Sequence, residues 1–239
     1  MMRNSLVAFA LVALGFLSAS PGYAQEGRSR TNKESVSLFQ VPWQCPAAPE
    51  IACGGVAKPI LLELERDPNI SQAWVNRKGT VLAVVGRERS TRQSRGKVVQ
   101  ALLLEIFEKK VAKELKGTAR EEELTRFLSA DGWYRGADAD SLSSEEADII
   151  GARLVRRIQA RTALSDEQAR ALESGFAKVF KGQFIQSPGV FGAAGKGPID
   201  QKQRNEQLLK VAREHLDAGG LTAFHEAIAK GHRPLAGEK

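Results

Sequence analysis

Two β-rich segments on either side of a short turn predict a β-hairpin in the first half of this chain. Residues 73–76 and 80–85 are rich in alanine, valine and tryptophan, and Arg77-Lys78-Gly79 separates them. A glycine in so short a connection permits the tight backbone turn that joins two antiparallel strands. This hairpin is the clearest β signal in the sequence.

The segments around the hairpin predict an α+β module. Residues 36–41 carry four apolar side chains and predict a first strand that ends at Pro42. Apolar residues recur every four positions in 56–64 and again in 97–116, which predicts a short helix and a long one, each with an apolar face. The order strand, helix, hairpin, helix therefore predicts a βαββα module over residues 35–116.

The sequence after residue 116 predicts helices only. In a capping box, a hydroxyl and a carboxylate or amide satisfy the N–H groups at a helix start. The pattern occurs at Thr118 with Glu121, Ser143 with Glu146, and Ser165 with Gln168. Glycine and proline interrupt the helical pattern at 184–198, which predicts a linker between a helical region at 117–183 and a C-terminal helical pair at 199–231. Residues 232–239 form a tail.

The first residues have the pattern of a secretory signal peptide. Arg3 precedes an apolar core at 6–17, and Gly22-Tyr23-Ala24 supplies small residues before a cleavage site, so residues 1–24 are expected to be removed. The apolar core is too short to span a bilayer. We therefore expect a periplasmic or secreted protein with no integral membrane span in the mature chain. Residues 25–34 are polar and predict a flexible leader.

The basic charge balance does not predict a nucleic-acid partner. The chain has 35 Lys and Arg against 28 Asp and Glu, and an exported protein would rarely meet nucleic acid. We interpret the net positive charge as a contribution to solubility. The densest basic segment contains Arg87, Arg89, Arg92, Arg95 and Lys97. We interpret it as a solvated loop, with an acidic partner or anionic lipid as the alternative.

Enzyme signatures are absent from the sequence. There is no nucleophile elbow and no dinucleotide fingerprint. His225-Glu226 begins like a zinc protease motif, but Ala229 stands where the second histidine would be. We therefore predict a non-enzymatic protein with no catalytic or cofactor-binding residues.

Residues 60–76 carry a resemblance to a known family. The pattern is a helix with apolar residues four apart, a proline stop and an Ala-x-Val-Asn strand, formed by Ile60, Leu64, Pro68, Ile70, Ala73, Val75 and Asn76. In this pattern the chain resembles the heavy-metal-associated domain, a small ferredoxin-like fold of metal chaperones, mercury-binding periplasmic proteins and metal-pump tails. The resemblance implies a ferredoxin-like module at about 35–116 that handles soft metal ions.

The resemblance also implies a metal site at Cys53, with one departure from the family. The family binds its ion through a C-x-x-C loop before the first helix. Cys53 falls on the first cysteine of that loop, but Val56 stands at the second. Cys45 supplies the second thiolate only if the intervening loop folds back. A pair of thiolates is suited to Cu(I), Hg(II) or Zn(II).

The same cysteines have a second interpretation. In an oxidising compartment, Cys45 and Cys53 are expected to form a structural disulfide, worth about 2 kcal/mol through restriction of the unfolded chain. Two functional hypotheses follow. The first is an exported binding protein that handles soft metal through these thiols. The second is a structural or protein-interaction protein of the periplasm with a Cys45–Cys53 disulfide and no metal.

Overall fold

The computed structural model describes residues 31–107, 112–129, 131–186 and 201–238. Within these ranges, five strands form one antiparallel sheet, and helices cover the sheet and build a second core beside it. The strands are β1 (Val36–Gln40), β2 (Ile70–Asn76), β3 (Val81–Gly86), β4 (Lys113–Glu114) and β5 (Trp133–Arg135). The helices are α1 (Gly54–Arg66), α2 (Arg92–Phe107), α3 (Gly117–Ser129), α4 (Ala139–Gln159), α5 (Asp166–Gln186), α6 (Gln201–His215) and α7 (Ala218–Ala229).

The first four strands have the ferredoxin-like topology that the family resemblance implies. The chain runs β1-α1-β2-β3-α2-β4, and the sheet order is β4-β1-β3-β2-β5 with every neighbouring pair antiparallel. Two interleaved β-α-β units produce this order. The fifth strand extends the sheet beyond β2, with Tyr134 opposite Val75. The α+β class and the ferredoxin-like module are therefore confirmed.

Strand β3 lies in the middle of the sheet and is buried on both faces. Its residues alternate between two cores: Leu82 and Val84 belong to the core under α1 and α2, whereas Ala83 belongs to the core under α3. On the α3 side, Phe127 packs edge to face against Trp133 with ring centroids 5.1 Å apart. A continuous apolar run is what a strand covered on both faces requires.

The hairpin turn both requires a glycine and anchors the loop after β1. Gly79 has φ 68°, and a Cβ there would lie 2.6 Å from the carbonyl oxygen of Trp43. An L side chain is disfavoured in this conformation and has no room here. The backbone N–H of Trp43 donates to the carbonyl of Gly79 at 2.8 Å, so the turn holds the start of that loop.

Helix α4 connects the sheet to a second, helical core. Leu142 in its first half packs in the core under α1 and α2, and Ile150 in its second half packs with α5, α6 and α7. Phe176 and Phe224 stack in the helical core with centroids 5.8 Å apart. No helix among the described residues combines the length and apolar character needed to cross a bilayer.

The predicted helix at 97–116 is wrong at both ends. Helix α2 begins at Arg92, its last described residue is Phe107, and residues 113–114 form β4. The N–H of Leu115 donates to the carbonyl of Leu38 at 2.8 Å, so this segment satisfies the edge of β1. The apolar repeat persists through Leu115, but an open sheet edge offers backbone partners that local periodicity cannot report.

Three further predictions about the chain after residue 116 are corrected. Strand β5 interrupts the supposedly all-helical region, because it pairs with the free edge of β2. Ser143 and Glu146 lie inside α4, which starts at Ala139, so they do not mark a helix start. Helix α5 continues to Gln186, which overlaps the predicted linker at 184–198; the rest of that linker lies outside the described residues.

The other predicted segments agree or lie outside the described residues. The C-terminal helical pair predicted at 199–231 is present as α6 and α7. The predicted signal peptide at 1–24 and most of the leader at 25–34 lie outside the described ranges. At the end of the leader, Lys33–Ser35 form a single 3₁₀ turn.

The capping box predicted at the start of α5 is confirmed, and it carries a stability prediction. The Ser165 N–H donates to Gln168 Oε1 at 3.0 Å, and the Gln168 N–H donates to Ser165 Oγ at 3.2 Å. Ser165→Ala should lower the free energy of unfolding by about 1 kcal/mol, because a helix-start N–H loses its acceptor. Ser165→Asp should remain near wild type in urea unfolding, and equal losses in both variants would contradict a capping role.

Candidate functional site

The loop between β1 and α1 folds back on itself and places Cys45 beside Cys53. Its start is fixed to the hairpin turn through Trp43, as described above. The N–H of Cys53 donates to the carbonyl of Trp43 at 2.8 Å, and the N–H of Cys45 donates to the carbonyl of Ile51 at 2.9 Å. These bonds close a short antiparallel loop. The condition that the sequence left open, a loop that returns Cys45 to Cys53, is met.

The two thiols are in contact and enclosed by protein. Both cysteines are free thiols that belong to one buried cluster, and the side chain of Cys45 interacts with that of Cys53. Cys45 is 1% exposed and Cys53 is 4% exposed, with Ile51 and Ile149 packed around them. The hydrogen bond to Cys53, and then burial, raise the pKa of the Cys45 thiol well above its usual value. At neutral pH Cys45 is therefore protonated and a poor nucleophile.

Helix α4 adds a buried carboxyl group to the pair. Glu146 is 6% exposed, and its carboxyl group interacts with the side chain of Cys45. Burial, and then the charge of and hydrogen bond to Cys45, raise the pKa of Glu146 to about 9. Its carboxyl group is therefore protonated at neutral pH, because ionisation in this apolar environment is costly. We refer to Cys45, Cys53 and Glu146 as the thiol–carboxyl site.

Three contacts hold α4 against the cysteine loop and α1. Arg153 Nη1 donates to the carbonyl of Ala47 in the loop at 2.6 Å. Lys58 Nζ on α1 pairs with Asp140 Oδ2 on α4 at 2.6 Å. The first residue of α1 is Gly54, where a Cβ would lie 2.6 Å from the backbone carbonyl of α4 that it faces. The thiol–carboxyl site thus lies at the junction between the sheet module and the helical region.

Glu146 is the site residue that the sequence analysis missed. It was assigned to a capping box with Ser143, a pattern that uses only local spacing. A usable signal was present, because Leu142, Glu146 and Ile150 are four residues apart and lie on one face of α4. An acid within a run of apolar core positions indicates a buried carboxyl group that requires a polar neighbour.

The donor set of this site fits an ion that accepts two sulfur ligands. Two adjacent thiolates suit soft ions such as Cu(I) and Hg(II), once their protons are displaced. Zn(II) in proteins prefers four ligands. Among the described residues, no group of three or more His, Cys, Asp or Glu side chains is arranged to hold a metal ion. The geometry therefore favours Cu(I) or Hg(II) over Zn(II).

Comparison with known proteins adds no assignment to the site. No family model, curated protein or solved structure matches the chain. The resemblance to the heavy-metal-associated domain therefore stays a prediction.

The basic segment predicted as a solvated loop is divided between the surface and the interior. Arg95 is 1% exposed and donates to Ser37 Oγ at 2.9 Å and to the carbonyl of Ser90 at 3.1 Å. Arg92 pairs with Glu114 on β4. Arg92 is exposed, as are Arg87, Arg89 and Lys97. Because Arg95 is buried, and because Arg92, Arg95 and Lys97 lie in α2, the segment is neither wholly solvated nor wholly a loop.

Proposed function

We propose that this chain is an exported, non-enzymatic binding protein in which Cys45 and Cys53 hold one soft metal ion, Cu(I) or Hg(II). The observation that carries the proposal is the contact between the two thiols at the start of α1. Its location also agrees with the resemblance, because heavy-metal-associated domains bind their ion in the loop before the first helix. In this chain Val56 occupies the position of the family's second cysteine, and Cys45 supplies the second thiolate instead.

Burial has two consequences for a metal at this site. The ion can enter only if α4 or the cysteine loop moves, because both sulfur atoms are enclosed. Binding must also displace the proton of Cys45, whose pKa is raised. Metal affinity should therefore increase with pH.

A titration of single-cysteine variants tests the proposal. The protein is recovered after export and reduced, and Cu(I) or Hg(II) is added to the wild type, to Cys53→Ser and to His225→Gln. The histidine variant is the control. Its substitution removes a possible metal ligand that is exposed on α7 and lies far along the chain from the cysteines. We expect one ion per chain in the wild type and the control, and at least about 100-fold weaker binding in Cys53→Ser, because a single thiolate cannot chelate.

Two outcomes would overturn metal binding. The first is no binding above background in the reduced wild type. The second is equal affinity in the wild type and Cys53→Ser, which would place the ion elsewhere.

Burial of both thiols also favours the second candidate, a protein-interaction protein locked by a disulfide. An oxidised pair would be shielded from reductant and would cross-link the loop between β1 and α1. A count of free thiols in the exported protein before reduction separates the two candidates. Two free thiols support a site available to metal. No free thiols, together with a loss of about 2 kcal/mol of stability on reduction, supports the disulfide.

A further inference from the structure

We propose that the helical region contains a binding site for a small oxyanion of the phosphate class, centred on Arg204. This residue lies in the first turn of α6 and is 7% exposed. Its guanidinium carbon lies 5.9 Å from the ring centroid of Phe180. Within the part of the chain that the structure describes, no acidic side chain pairs with Arg204 and its Nε has no hydrogen-bond acceptor.

Two further groups with unused nitrogen atoms are linked to the same ring. The His232 ring packs edge to face on Phe180 at 5.0 Å, and its buried Nδ1 has no partner among the described residues. Arg153 is 2% exposed and donates to the His232 carbonyl at 2.8 Å. Its buried Nε likewise has no acceptor within the described ranges. Arg204, Arg153 and His232 are here called the Arg204 site.

The neighbouring Arg157 differs from Arg204 because a carboxylate neutralises its charge. Its Nε and Nη2 donate to the two carboxylate oxygens of Glu238, each at 2.7 Å, and the carbonyl of Arg233 accepts a further bond at 2.8 Å. One acidic side chain of the tail thus neutralises one of three buried arginines. Arg204 has no ion pair in the described ranges, whereas the charges of Glu238 and Glu50 also act on Arg153. A buried charge without a partner is strongly unfavourable.

An oxyanion matches the unused donors of the Arg204 site. A guanidinium group presents N–H donors in a planar fork that fits phosphate or sulfate oxygens. Burial, and then the charges of Arg204, Arg157 and Arg153, lower the pKa of His232 to about 4. The imidazole is therefore neutral at neutral pH and offers one N–H donor without adding charge. The Arg204 site and the thiol–carboxyl site share helix α4 but no residue. Oxyanion binding is therefore independent of metal binding.

The test measures thermal stability and direct binding with inorganic phosphate as the probe. The exported protein is dialysed into a phosphate-free buffer, and Tm is recorded with sodium phosphate or with sodium chloride at equal ionic strength. Calorimetric titration with phosphate gives the stoichiometry. The variants are Arg204→Gln and Arg204→Met, with Arg213→Gln as the matched control, because Arg213 is exposed on the same helix. The same pair of buffers is used for every variant.

We expect phosphate to raise the Tm of the wild type and of Arg213→Gln by about 5 °C or more when it is a hundredfold above its Kd. One phosphate should bind per chain. Both Arg204 variants should fold in chloride, since each removes an unpaired buried charge, and should lose the phosphate shift. An equal Tm in phosphate and chloride for the wild type, or a shift retained in a folded Arg204 variant, would overturn the proposal.

Discussion

Adding one methyl group at Gly54 is expected to destabilise the protein by at least about 2 kcal/mol. A Cβ at this position would lie 2.6 Å from the carbonyl oxygen of Ala139 and 2.9 Å from the backbone nitrogen of Ser143. Both atoms belong to the backbone of α4, so no side-chain rotation can relieve the overlap. Gly54→Ala must therefore push α4 away from α1 beside Cys53, and Tm should fall by roughly 4–8 °C.

Gly96→Ala is the matched control for this effect. Gly96 lies inside α2, and no atom lies within 4 Å of where its Cβ would be, apart from its own helix backbone. The same chemical change should therefore stabilise the protein by about 0.5–1 kcal/mol, because alanine favours the helix. Urea unfolding of the two variants gives opposite signs if the close approach at Gly54 is real. A loss of similar size at both positions would refute the interpretation.

Glu146→Gln is expected to remove a pH dependence of stability. The pKa of Glu146 is raised from 4.5 to about 9, mainly by burial. Between these values the unfolded chain releases this proton and the folded chain retains it. The free energy of unfolding therefore falls as pH rises, by up to about 1.4 kcal/mol per pH unit from this group. Its contribution is complete below pH 4.5 and is lost as pH rises through about 9.

The measurement compares Glu146→Gln with the wild type by urea unfolding between pH 6.5 and 8.5, under reducing conditions. The free energy of unfolding of Glu146→Gln, relative to that of the wild type, should rise by roughly 2–3 kcal/mol from pH 6.5 to pH 8.5, since glutamine does not ionise. Glu122→Gln, at an exposed position on α3, is the control and should follow the wild type. Parallel curves for the wild type and Glu146→Gln would show that Glu146 is ionised in the folded protein throughout.

The hairpin and the helices around it were predictable because their signals lie in consecutive residues. The β-branched run at 80–85 and the glycine at Gly79 specify strand and turn chemistry within a few positions. The capping box at Ser165 is equally local, and its hydrogen bonds are present. The same pattern at Ser143 gave a wrong helix start. Helix α4 packs against α1 and the sheet, and it begins before Ser143, at Ala139.

The two short edge strands could not be predicted from their own residues. Strand β4 has two residues and β5 has three, too few to show an alternating pattern. Each forms because an existing strand presents unpaired backbone groups, β1 for β4 and β2 for β5. A short edge strand can therefore be predicted only when the strand that it pairs with is known, and that strand is distant in the chain.

From the sequence alone one can derive the βαββα order of strands and helices and the two cysteines as candidates for specific chemistry. Only the tertiary structure decides that Cys45 meets Cys53, that Glu146 joins them from α4, and that three arginines collect near the tail. Periodicity and turn chemistry act over a few residues. The contact between Arg153 and Ala47 spans 106 positions, and such contacts depend on how whole helices pack.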